Sequence, residues 1–458
     1  MRHESGVGLG VAIAIALGVA CAATTAEARV TRVAAADTLA RAALAAAQPG
    51  DTVLLATGVH RGPLRITTPV TLRGEPGAVV DGGRRGSVIA IGASGTRVED
   101  LTVRASGREV LTIDAGIHVL AGAVTLRRLG IHDVLYGVYG ERADQLLVED
   151  CRLEGRVDPL DESGEGNGVH LWYCRDARVN RCDVTRFLDG VYLSFADGAR
   201  VEDTRLHDQG RYGLHTMYCQ VNTFVRDTLT HNAAGCAIMF SNHLEVASNA
   251  IVHNHGPRTY GLLLRDCSDG HFHDNQLVDN TVAVFMDGSN RNRFEDNLVQ
   301  DNGWGLFVFA SCAGNVIAGN DFIHNDYPVA LDMRTTRNAF DDGRRGNYWS
   351  EAASYDLDAD GTGDVPYSPV TAFSFVSKQY PDLAVLSASP AVAALGVAER
   401  VFPARRPSEA VDHFPRVRPR RAPVRDGAAS PPRAWNLAGG FVMLLAGGVA
   451  LAAEGRKS

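Results

Sequence analysis

Three side chains with soft or borderline donor atoms lie close together in a repeating part of the chain: His215, Met217 and Met239. Thioether sulfur combined with imidazole nitrogen suits Cu(I) better than Mg²⁺ or Ca²⁺. Residues two apart on a strand share a face, so His215 and Met217 belong together. Met239 joins them if the segment that follows lies directly on top. The same face would carry His170, Trp172, Tyr192, Phe307 and Phe309, and its other reading is an apolar stripe beneath a docking partner or loop. His207, His231 and His253 recur at a similar interval, each just before a turn residue. Stacked imidazoles could bind copper or zinc, or simply decorate a turn; the alternating pair His271 and His273 is equally open. Asp356, Asp358, Asp360, Gly361 and Asp364 have the D-x-D-x-D-G spacing that wraps alternate carboxylates around a hard cation. Tyr367 stands where a bidentate Glu would be, so the loop reads either as a structural Ca²⁺ site or as a plain acidic turn.

What would position these residues is a repeat. Between Gly168 and Gly305 the sequence restarts at Gly168, Gly190, Gly213, Gly235, Gly261, Ala283 and Gly305, mostly 22 residues apart, and each start opens a short alternating strand. Such a unit is too short for a helix pair but fits one three-strand turn of a right-handed parallel β-helix. Val169 and Leu171, Val191 and Leu193, and Leu262 and Leu264 should point inward, leaving the intervening residues outside. Asn249, Asn275, Asn297 and Asn320 form one column of amides, and Asn232, Asn254, Asn280, Asn302 and Asn325 another. Amides stacked on successive coils can hydrogen-bond along the column, and Asn tolerates the left-handed backbone of a sharp corner. About a dozen coils are expected, rising roughly 4.8 Å each.

The expected organisation is a signal peptide over 1–28, an N-terminal cap and first coils over 29–83, the parallel β-helix over 84–345 and a C-terminal region over 346–415. An Arg/Pro-rich linker over 416–434 and an apolar segment over 435–453 follow. The signal rests on Arg2, the apolar run from Val7 to Ala20 and the small-residue site Ala26-Glu27-Ala28; a lipoprotein reading at Cys21 lacks the lipobox leucine, which is Gly18. In the cap, Asp37 should start a short helix with Leu39, Ala43 and Ala47 on its apolar side, covering the open end of the solenoid. Arg156 to Gly166 reads as an acidic side loop. Leu437 to Ala453 carries no charge and reads as a membrane anchor or a partner-docking helix, and the arginines before it could meet anionic lipid. Net charge is −8 with the basic excess in that tail, which argues against nucleic acid as a partner. Cysteine pairing is open: Cys174, Cys219 and Cys267 should lie two coils apart, and Cys151 and Cys182 should be neighbours, bridged or as thiols.

From Gly213 to Pro366 the chain resembles the NosD family of nitrous oxide reductase maturation proteins. The resemblance rests on Arg211-Tyr212-Gly213-Leu214-His215-Thr216-Met217-Tyr218, on Gly235-Cys236-Ala237-Ile238-Met239-Phe240-Ser241, and on Gly346-Asn347-Tyr348-Trp349-Ser350 with the loop to Tyr367; Ser389 to Val392 and Ala398-Glu399 also match. It implies a non-enzymatic periplasmic protein bound to an ABC transporter made of a membrane subunit and a cytosolic ATPase. Such a protein would work with a copper chaperone to assemble the copper–sulfur centre of nitrous oxide reductase. His215, Met217 and Met239 fall within matching motifs. The rival reading is a polysaccharide-binding or polysaccharide-degrading β-helix, since fold does not decide function. Asp176, Asp189, Asp197 and Asp266 lie near strand ends without forming a recognisable catalytic motif.

Overall fold

A computed structural model describes residues 28–156, 166–332, 336–370 and 410–424 except for positions 37, 257–258 and 353, with a few isolated positions between 371 and 409. The signal peptide, the acidic side loop and the terminal apolar segment lie outside the described residues. Among those residues no helix is long and apolar enough to cross a membrane.

Each coil gives one strand to each of three parallel sheets. Thr223–Val225, Thr228–Thr230 and Ala234–Met239 are a representative set. Stacked, the coils build a first sheet of 14 strands, a second of 13 and a third of 12, a parallel β-solenoid as the repeat implies. Alternation settles what is buried. In the third sheet Leu214, Cys236, Leu262, Val284, Leu306 and Val329 lie in one register column inside the barrel, and the inward residues expected from the sequence are all buried. The repeat glycine is required by close approach: a Cβ on Gly213 would lie 2.7 Å from the carbonyl oxygen of Gly235 on the next coil.

The amide columns form as expected and reach further. Asn254 donates through Nδ2 to Asn280 Oδ1 at 2.9 Å, and the backbone N–H of Asn254 shares that acceptor at 3.2 Å. The same pattern links Asn249, Asn275, Asn297, Asn320 and Asn347, and a third column joins Asn292, Asn315 and Asn338. Each buried amide thus satisfies the corner backbone that water cannot reach. At the corner between the first and second sheets, Asp100, Arg128, Asp150, Arg181, Asp203 and Arg226 all have positive φ, and each arginine takes the aspartate of the coil before it.

Both ends are closed. The helix Leu39–Ala46 buries Ala40 and Leu44. The expected apolar side was misjudged at Leu39, which is 46 % exposed, while Ala43 and Ala47 pack partly against the core. Thr38 precedes the helix and makes no side-chain capping bond; Asp37 lies outside the described residues. At the other end Asp412 is fully buried and accepts hydrogen bonds from Trp349 Nε1 at 2.8 Å and Asn347 N at 2.7 Å. The first part of the Arg/Pro segment, expected as a linker, lies along the solenoid: Arg416 meets Asp321 at 2.6 Å and Arg421 meets Asp274 at 2.7 Å. Asp274 and Asp321 lie two coils apart, and Asp296 on the coil between them holds Arg420 at 2.9 Å.

Candidate functional site

The outward face of the third sheet carries one column of rings. His118, Tyr139, His170, Tyr192 and His215 occupy the same register position on successive coils, with ring centroids 5.4, 4.5, 4.6 and 4.4 Å apart along the series. Beyond His215 the column becomes apolar, with Ala237, Leu263, Phe285 and Phe307. Sequence reasoning found its second half and missed His118 and Tyr139. The signal was present in Gly116-Ile117-His118 and Gly137-Val138-Tyr139, which match Gly168-Val169-His170 and Gly190-Val191-Tyr192.

Two imidazoles in this column are fixed in opposite tautomers. Asp189 is fully buried, accepts both Nε and Nη2 of Arg211 at 2.9 and 2.6 Å, and lies 3.0 Å from His215 Nδ1. Burial alone would push its carboxyl up, but the hydrogen bonds from His215 and Arg211 outweigh it and hold the group below the usual carboxylate range. Facing a carboxylate, Nδ1 is the donor of that contact, which leaves Nε2 as the nitrogen turned away from Asp189. That Nε2 has no hydrogen-bond partner among the described residues, and His215 is only 4 % exposed. Asp189 therefore orients His215 as an outer carboxylate orients a metal-binding histidine. His170 is the reverse case. Asn167 gives its carbonyl oxygen to the N–H of Asp189 at 3.2 Å, so its amide NH₂ donates to His170 Nδ1 at 3.2 Å and the ring proton sits on Nε2. Burial pulls His170 down to about 4.

Beside this column the structure brings the expected thioethers together. Met217 and Met239 are register partners on adjacent coils, and the Tyr192 hydroxyl donates to Met217 Sδ at 3.4 Å. The thiols are poorer candidates. Burial pushes Cys174 and Cys219 up to about 11 and Cys267 to about 12, keeping them protonated. All seven cysteines among the described residues are unbridged, Cys151 and Cys182 included. The corner next to the methionines holds a stack absent from the sequence reading: Tyr173, Phe195 and Tyr218, all exposed, and the half-buried Phe240, with centroids 4.7, 5.0 and 4.9 Å apart. All four have positive φ, a conformation that costs a bulky residue on the order of 1 kcal/mol.

The second histidine set is only partly a column. His231 and His253 stack at 5.6 Å. His207 belongs one position earlier, where it pairs in register with Thr230 and bonds to Asp183 at 2.9 Å. Asp356, Asp358 and Asp360 converge, with carboxylate oxygens within 4.8 Å of one another, whereas Asp364 turns to the Leu357 N–H at 2.6 Å. Of the acids that might have served sugar chemistry, Asp189 is sealed from solvent, and Asp197 accepts the Gln220 N–H at 2.7 Å.

A protein from Pseudomonas aeruginosa called probable ABC transporter binding protein NosD is 32 % identical over 380 residues, spanning 80 % of this chain and 87 % of that protein. The chain belongs to the NosD family. A protein of the same name from Stutzerimonas stutzeri is 27 % identical, over 76 % of this chain and 83 % of its own length. The family model, described as periplasmic copper-binding protein (NosD), matches residues 152–354. Among solved structures the chain is similar to the mannuronan C-5 epimerase AlgE6 A-module of Azotobacter vinelandii, with a TM-score of 0.44 and 13 % identity, covering 67 % of this chain and 88 % of that one. The NosD match encloses His170, Tyr192, His215, Met217 and Met239, and ends before the loop at Asp356.

Proposed function

We propose that this protein takes up copper transiently at His215, Met217 and Met239 in the periplasm, and that it serves, bound to an ABC transporter, the assembly of the copper–sulfur centre of nitrous oxide reductase. One observation carries the reading. A buried imidazole committed through Nδ1 to Asp189 keeps an unpartnered Nε2 on the same face as two thioethers from adjacent coils. One nitrogen and two sulfurs form a soft set suited to Cu(I), here as cargo. The Tyr192 hydroxyl rests on Met217 Sδ, so copper uptake requires that hydroxyl to release the sulfur. The exposed edges of Tyr173, Phe195 and Tyr218 border the methionines and give a copper chaperone or the reductase an apolar surface to meet. The names of the relatives support the transporter as partner. In this reading its membrane subunit and ATPase drive the cycle, and the terminal apolar segment holds the protein at the inner membrane.

The test is the double variant Met217→Leu with Met239→Leu, which nearly conserves volume. Anaerobic competition with a chromophoric Cu(I) chelator should give an affinity at least about 100-fold weaker, with the fold intact. The reductase co-produced with this variant should lack the absorption of its copper–sulfur centre. Unchanged Cu(I) affinity would remove the ligand role.

A further inference from the structure

On the opposite margin of the third sheet, where the chain enters from the second, lies a different set of donors. The coil that starts at Gly235 is longer than its neighbours, with 26 residues before Gly261, and the extra residues follow Asn254. They bring in His255, two places after His253. In the structure His253 Nδ1 lies 2.8 Å from Asp279 Oδ2, and His255 Nε2 lies 3.3 Å from the same oxygen. All three ligand atoms fall within 4.8 Å of one another. The ring of His253 is steadied by its stack on His231, itself tied through Nδ1 to the Thr230 hydroxyl at 2.9 Å. Asp279 comes from the next coil at a positive-φ corner, so backbone geometry fixes its approach.

We infer that His253, His255 and Asp279 form a second metal site, specific for a borderline divalent ion such as Zn²⁺ and separate from the sulfur-bearing Cu(I) set. Bond lengths of about 2.0–2.2 Å to nitrogen and oxygen put tetrahedral ligand atoms roughly 3.3 Å apart. His255 and Asp279 already have that separation, and His253 has only to withdraw by about half an ångström. Two imidazoles and one carboxylate with no sulfur favour Zn²⁺ over Cu(I). On binding, each imidazole turns its lone pair to the ion and keeps its proton on the other ring nitrogen, while the carboxylate stays ionised. Three protein ligands leave a fourth position for water or for a donor from another molecule. A neighbouring cluster, Glu245 with His271 and His273, has the same ligand types, but there each ring is also held by an acid outside the cluster, His271 Nε2 by Glu295 at 3.0 Å and His273 Nδ1 by Asp274 at 2.9 Å.

The site is independent of the copper reading and can fail separately. The full mature chain is titrated calorimetrically with ZnCl₂ and, anaerobically, with Cu(I), and the zinc experiment is repeated with Co²⁺ followed by its visible absorption. We expect one Zn²⁺ per chain and a tetrahedral Co²⁺ spectrum. His253→Gln with His255→Gln should weaken Zn²⁺ at least 100-fold and leave Cu(I) unchanged, and the Met217→Leu, Met239→Leu variant should do the reverse. His255→Gln alone, in a surface expansion outside the strands, serves if the pair impairs folding, and should weaken Zn²⁺ at least 10-fold. No saturable Zn²⁺ binding, or an affinity in the histidine variants within threefold of the parent, overturns the site.

Discussion

The corner between the first and second sheets and the outward face of the third are generated by the same repeat, yet they treat their polar groups in opposite ways. At the corner every arginine meets the aspartate one coil back, as in Arg181 with Asp150 at 2.8 Å and Arg226 with Asp203 at 2.7 Å, and the column is saturated. On the third sheet the rings stack, but His215 Nε2 has no hydrogen-bond partner among the described residues, and His118 Nε2 has none either, with Glu141 only at 3.9 Å. A stacked solenoid can close any column by alternating complementary groups. The column it leaves open is where a ligand has something to gain, because burying a donor or acceptor without a partner costs on the order of 1–3 kcal/mol.

The sharpest way to break that contrast is at Asp189, which belongs to both kinds of column: it is saturated by Arg211 and it directs the open imidazole of His215. Asp189→Asn keeps the volume and removes the charge. Arg211 then loses its counter-ion in a partly buried place, and stability should fall by about 3 kcal/mol, at the low end of the range for a broken buried pair because Arg211 is 40 % exposed. His215 is no longer held in the Nδ1–H tautomer, so Cu(I) affinity should also fall, by about 10–100-fold. Denaturant unfolding and chelator competition measure the two separately. A destabilised variant with unchanged Cu(I) affinity would reduce Asp189 to a structural role.

The contrast also explains how much of the molecule could be read in the sequence. Inward columns were legible because a glycine start fixes the phase and alternation does the rest, as at Val191 and Leu193. The Asn columns were legible because an amide at a corner has few other uses. His215, Met217 and Met239 followed from the same phase. What failed was register. His207 and His231 are 24 residues apart instead of 22 or 23, and a slip of one residue turns a side chain to the other face. His118 and Tyr139 were lost because the insertion before Gly168 stretches the interval from Gly137 and hides the repeat. Asp189 and Arg211 escaped as supports because no local pattern announces that an aspartate one coil below will reach a histidine. The Tyr173 to Phe240 stack escaped because nothing in local sequence predicts four aromatic residues at left-handed corners.

A second test lies inside the saturated class. Asp227 occupies a place in the buried Asn column: its Oδ1 accepts the Thr204 N–H at 2.9 Å, and its own N–H donates to Asn249 Oδ1 on the next coil at 2.8 Å. An amide at this position would use its NH₂ as Asn249 does, toward the carbonyl of the preceding coil. Asp227 has instead an Oδ2 with no partner among the described residues, and burial pushes its carboxyl up to about 8. The folded protein therefore holds this proton up to about pH 8, while the unfolded chain, near 3.9, has already released it. Protons are bound more tightly by the folded state, so this residue's contribution is intact below about pH 4 and stability is lost as pH rises toward 8. Asp227→Asn should remove that slope and raise stability at pH 7 by about 3 kcal/mol, seen as a higher denaturation midpoint that no longer falls between pH 5 and 8. A variant less stable than the parent at pH 7 would mean that the carboxyl has a partner an amide cannot replace.

The smallest effect is expected where the column is saturated and solvent-exposed. Arg226→Ala removes the guanidinium from Asp203 and Glu202, leaving Asp203 facing solvent and Glu202 still paired with Arg200 at 2.8 Å. Burial does not amplify an ion pair of this kind, and salt screens it. The left-handed backbone of position 226, with φ of 59°, is kept by alanine at a strain close to that of arginine. The melting temperature should fall by no more than about 1 °C at low ionic strength, and the difference should vanish near 1 M salt. A much larger fall that persists in salt would show that the alternating Asp and Arg corner acts as one cooperative ladder along many coils. The saturated columns would then hold the open face of the third sheet in shape as a unit, and its metal affinity would fall together with the corner.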